Sequence, residues 1–133
     1  MTNLNKLARE VHANAVAHGW WKDGDRPFGE IIATMHSELS EALEEYRNGN
    51  PNEYFRVQVP LIKGTAMPAK YEFETDITKW KGEKTEGIAP ELADVILRIL
   101  DYCGRNGIDI EGAIKRKHEY NRGRPYRHGG KKI

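Results

Sequence analysis

Phe28, Ile31, Ile32, Met35, Leu39, Ala42, Leu43 and Tyr46 recur at three- and four-residue spacing. At about 100° per residue this is one apolar stripe on a helix. The pattern predicts a helix from about Phe28 to Arg47, stopped by Asn48-Gly49-Asn50-Pro51. A shorter helix is expected before it, from about Leu4 to His18, with Leu4, Leu7, Val11 and Ala15 on one face and Gly19 as its end. From about Ile88 to Asn106 apolar residues occupy most of the circumference, and the polar ones fall on one strip: Glu91, Asp94, Arg98 and Asp101. That distribution predicts a mostly buried third helix, ended by Gly107. Asp109 is placed to cap a fourth, which continues to about Asn121.

Between the second and third helices the period changes. Phe55 to Val59 and Tyr71 to Glu74 alternate apolar and polar, with Pro60, Gly64 and Pro68 between them. Residues 52–87 therefore read as an insertion that is β-hairpin-like or a long structured loop. The charged run from Lys79 to Gly87 reads as an exposed, mobile end to it. The expected fold is all-α: a bundle of about four helices carrying this insertion.

The length of 133 residues bounds the picture to one domain, 1–133, with a modest core. Cys103 is the only cysteine and lies in an apolar segment, so a buried thiol in a reducing compartment is expected. The polar N-terminus and the shortness of the apolar runs point to a cytoplasmic protein with no membrane partner. Charge changes the picture more. Residues 115–132 hold eight Lys and Arg against one acid, Glu119, which leaves the rest of the chain at −6 for a total of +1. The basic tail, about 122–133, suits a phosphate or a nucleic acid.

The acidic excess contains the candidate chemistry. Glu38-Leu-Ser-Glu41 lies in the second predicted helix and Glu91-Leu-Ala-Asp94 in the third. Carboxylates three residues apart share a helix face. Two such pairs on facing helices would gather four hard oxygen ligands, whose mutual repulsion a cation relieves. Magnesium is the economical occupant, with manganese an equivalent, and magnesium sites commonly handle phosphates. Either motif alone is ordinary for a solvated helix. It is the pairing of the two, with the narrow polar strip, that favours a metal centre. Asp101 also lies on that strip and could pair with Arg98. His12, His18, His36 and His118 lack convincing metal-ligand spacing and read as ordinary helix residues, while His128 could reach a phosphate from the tail.

These motifs, in this order, resemble those of the MazG-like all-α nucleoside triphosphate pyrophosphohydrolases. The segment Glu91 to Asp101 is similar to that family's third helix. Lys117-x-x-x-Asn121, followed by Arg124-Pro-Tyr-Arg-His-Gly-Gly-Lys131, is similar to the C-terminal signature of one branch. The resemblance implies a homodimer or homotetramer that cleaves NTPs or dNTPs between the α and β phosphates, giving a monophosphate and pyrophosphate for nucleotide-pool cleaning. It implies Glu38, Glu41, Glu91 and Asp94 as magnesium ligands and catalytic groups, and Lys117, Asn121 and Arg124 as phosphate contacts. Trp20 or Trp21, placed just after the first helix, could stack on the base, although core packing is the plain alternative for both. Forty-nine residues separate Glu41 from Glu91 here, a longer gap than the family's usual one, because of the insertion. The competing class is a binding module that holds nucleic acid or nucleotide on the basic tail without hydrolysing it. It lacks an aromatic-rich strand platform or recognition-helix signature in its favour.

Overall fold

A computed structural model describes residues 3–59, 64 and 70–126 of the chain. Among the described residues four helices form: α1 (Leu4–Ala17), α2 (Phe28–Arg47), α3 (Ile88–Asn106) and α4 (Ile110–Arg122). The bounds of α2 and α3 are those the hydrophobic spacing predicts. Caps fix the starts of α1 and α4. The Asn3 side chain accepts from Lys6 N at 3.1 Å, and Asp109 accepts from Gly112 N at 2.9 Å.

The inserted segment is more than a hairpin. Strands β1 (Tyr54–Val59), β2 (Lys70–Glu74) and β3 (Thr85–Glu86) make an antiparallel sheet in the order β2-β1-β3. In the β1–β2 ladder Phe55 faces Glu74 and Arg56 faces Phe73, and in the β1–β3 ladder Tyr54 faces Glu86. A single helical turn, Ile77–Lys79, is capped by Asp76. So "all-α" is too strict, and the expected mobile run from Lys79 to Gly87 is partly ordered by β3. The two residues of β3 are too few to show alternation. Their order comes from pairing with a strand thirty residues away.

The chain divides into two compact units, one comprising residues 1–26 and 97–133, the other 27–96. Helix α3 runs through both. In the first unit Ala8, Leu100 and Cys103 form a buried cluster, with Leu7, Val11, Ile99 and Ile110 against it. Asn5 ties α1 to the start of α4, its amide donating to Asp109 Oδ1 at 2.7 Å and its carbonyl accepting from Glu111 N at 3.1 Å. In the second unit Ile31, Ala42, Tyr54 and Phe55 are buried, Phe55 completely.

One expectation about the helices is corrected. The apolar stripe of α2 is only half covered: Ile31 and Ala42 are buried, whereas Phe28, Leu39, Leu43 and Tyr46 are exposed. On α3, Leu92, Ile96 and Leu97 are exposed too, so it is not mostly buried in a single chain. Periodicity reports which face is apolar, not what covers it. Among the described residues no helix is long and apolar enough to cross a membrane.

Candidate metal centre

The second unit carries the carboxylates. Helix α2 presents Glu38 and Glu41, and the first two turns of α3 present Glu91 and Asp94. Oxygens of Glu38, Glu91 and Asp94 lie within 4.8 Å of one another, so this trio could hold a metal ion. Ligand oxygens around one magnesium stand about 3–4 Å apart, given bond lengths of about 2.1 Å. Only small side-chain adjustments separate the trio from that arrangement. Glu41 is outside the trio but adjoins it. Its side chain reaches the Glu91 carboxyl, and both line a cavity of about 210 Å³ with Glu44, Glu45 and Asn48.

Glu91 is the strained member. Burial, and then the approach of Glu41 and Glu38, push its pKa up from 4.5 to about 8. Its Oε2 is sealed from solvent and accepts no hydrogen bond. Carboxylates have no donor between them unless one carries a proton. The rise in the Glu91 pKa favours such a proton within the metal-free cluster. A hard cation does the same job with more charge, which fits a donor set made entirely of carboxylate oxygens. The residues present therefore suit a divalent cation on two counts: the orphaned oxygen and the chemistry of the donors.

The other predicted site residues lie in the first unit. Trp21 is 7% exposed and donates from Nε1 to both oxygens of Asp101 at 3.1 Å. It packs as a core residue. Asp101 also accepts from His12 Nδ1 at 2.8 Å, and the His12 and Trp21 rings meet edge to face at 5.6 Å. Asp101 thus serves both His12 and Trp21. His12, read from sequence as an ordinary helix residue, is one partner of this network. Arg105 covers Trp21 at 5.0 Å and pairs with Asp25 at 2.9 Å. Trp20, by contrast, is 61% exposed.

The cations of Lys117 on α4 and of Arg124, just beyond its end, lie 5.2 and 5.5 Å from the centre of the Tyr120 ring. Asn121 is exposed one residue further on. Arg127, His128 and Lys131 of the predicted C-terminal signature lie outside the described residues. Cys103 is buried, as expected, and burial pushes its thiol pKa up, away from reactivity.

No family model, curated protein or solved structure matches the chain.

Proposed function

We propose that the protein is a magnesium-dependent nucleotide pyrophosphohydrolase of the MazG-like kind, cleaving NTPs or dNTPs to the monophosphate and pyrophosphate. The observation that carries the reading is the convergence of Glu38 with Glu91 and Asp94 around an orphaned, buried carboxylate oxygen. Glu38, Glu91 and Asp94 would hold the cation. When bound, it neutralises phosphate oxygens and lowers the pKa of water. Glu41, beside Glu91 but outside the trio, is left to accept the proton that the attacking water gives up. Water oxygen then bonds to the α phosphorus as the bond to the pyrophosphate oxygen breaks. Phosphate contact by Lys117, Asn121 and Arg124 rests on the sequence resemblance, as does the homodimeric or homotetrameric state. The exposed apolar residues of α2 and α3 support the latter. A reducing, cytoplasmic setting fits the single buried cysteine.

The test is pyrophosphate release from a panel of canonical and modified nucleoside triphosphates, with magnesium or with EDTA. Glu38→Gln and Asp94→Asn should each lower turnover by about 100-fold or more while keeping the helical circular dichroism. Undiminished turnover in both variants would defeat the assignment. No release from any substrate, together with steeply salt-dependent oligonucleotide binding, would replace it with the binding-module reading.

A further inference from the structure

The chain between the two carboxylate motifs is bonded at its root to both helices of the centre. Glu45 stands one turn beyond Glu41 on α2 and lines the same cavity. Its Oε2 accepts from Asn50 Nδ2 at 2.7 Å and from the Tyr54 hydroxyl at 3.2 Å, and its Oε1 lies 3.3 Å from that hydroxyl. Both oxygens are thus engaged by the root of the insertion. Tyr54 is 5% exposed, its ring packed edge to face on Phe73 at 5.0 Å. Burial and the neighbouring Glu45 raise its pKa, which keeps the hydroxyl protonated and donating.

The other side of the same short segment is fixed to the start of α3. Asn52 O accepts from Ala89 N at 2.9 Å, and Tyr54 pairs with Glu86 across the β1–β3 ladder. Gly87, at φ 116°, passes so close that a Cβ there would lie 2.5 Å from Asn52 O. Only glycine suits that backbone and that gap. Residues 50–55 therefore bridge the end of α2, one turn past Glu41, and the start of α3, one turn before Glu91.

We propose that Tyr54, acting through Glu45, is a positioning residue that holds α2 against the start of α3 so that Glu38 and Glu41 are presented to Glu91 and Asp94. The root of the insertion is then a brace for the carboxylate centre, whatever its outer strands contact. This rests on the cation reading of that centre. Outer partners that orient ligands typically change metal affinity by 10- to 100-fold when removed.

The experiment is Mn2+ titration of the full chain, read by electron paramagnetic resonance well below the unfolding temperature. Tyr54→Phe keeps the ring and its packing but removes the donor. Its Mn2+ Kd should rise about tenfold with circular dichroism unchanged. Asn50→Ala should shift it in the same direction and serves if Tyr54→Phe does not fold. Tyr46→Phe, which removes an exposed hydroxyl from the same helix, should bind as the wild type does. A residue that only stabilises the fold would lower the unfolding temperature and leave the Kd of the folded protein alone. Wild-type affinity in both Tyr54→Phe and Asn50→Ala therefore overturns the brace and spares the cation centre. Absence of Mn2+ binding in the wild type itself removes the centre, and the brace with it.

Discussion

At the scale of single residues, Glu91 ties the site to pH. Its folded-state pKa of about 8 stands above its ordinary 4.5. Between those values the folded, metal-free chain binds a proton that the unfolded chain does not, so its stability falls as pH rises through that window. A cation must displace the proton, which makes binding tighter at higher pH. Calorimetry of magnesium binding at pH 7 in buffers of different ionisation enthalpy should report release of about one proton. The magnesium-induced rise in unfolding temperature should be larger at pH 8 than at pH 6. An equal rise at both pH values would mean that Glu91 is not displaced by the ion. Asp101 offers a second test, in the other unit. Asp101→Ala leaves Trp21 Nε1 and His12 Nδ1 without their acceptor and should cost roughly 1–3 kcal/mol. Thermal unfolding would show it, with a red-shifted tryptophan emission if Trp21 becomes wetter.

At the scale of elements, Gly104 shows how a local rule gives way to packing. Glycine inside a helix costs roughly 1 kcal/mol against alanine, so propensity alone would favour Gly104→Ala. Here α1 crosses α3 so closely that a Cβ on residue 104 would run into Ala8 O and lie 2.8 Å from His12 Cβ. Gly104→Ala should therefore lower stability by about 1–3 kcal/mol, read as a drop in the urea midpoint, and a gain would show that the crossing is slack. The same contrast between local and distant information governs what the sequence reveals. The ends of α2 and α3 are legible because stops such as Asn48-Gly49 and Gly107 act locally. Glu38, Glu91 and Asp94 are legible because a three-residue spacing fixes a helix face. The bond from Asp101 to His12 joins residues 89 apart, and no periodicity encodes it. The burial of Trp21 is not legible for the same reason, since it depends on a partner on α3. Strand β3 is invisible because its only signature is the ladder with Tyr54.

At the scale of the whole molecule, charge and apolar surface are both unevenly spent. The carboxylate-rich body and the basic C-terminal segment partition the net charge of +1 into opposite excesses, which suits a chain that handles a cation and a polyanion together. The larger imbalance is hydrophobic. Phe28, Leu39, Leu43 and Tyr46 are exposed on one flank of α2, and Leu92 and Ile96 are exposed on α3. Scattered exposed apolar side chains are ordinary, but several on one flank of a twenty-residue helix would suit a subunit interface. The flank lies beside the buried edge formed by Ile31 and Ala42, while Glu38 and Glu41 lie on that edge's other side. Self-association through it would therefore leave the carboxylates uncovered by α2's own stripe. Sedimentation of the wild type at micromolar concentration should give an oligomer. Leu43→Asp would bury an unpaired carboxylate at such a contact, which costs about 3–5 kcal/mol, or about a hundredfold or more in Kd. The variant should sediment as a monomer with its helical content intact. A wild type that stays monomeric at high concentration would show that the apolar flank meets something other than a second copy.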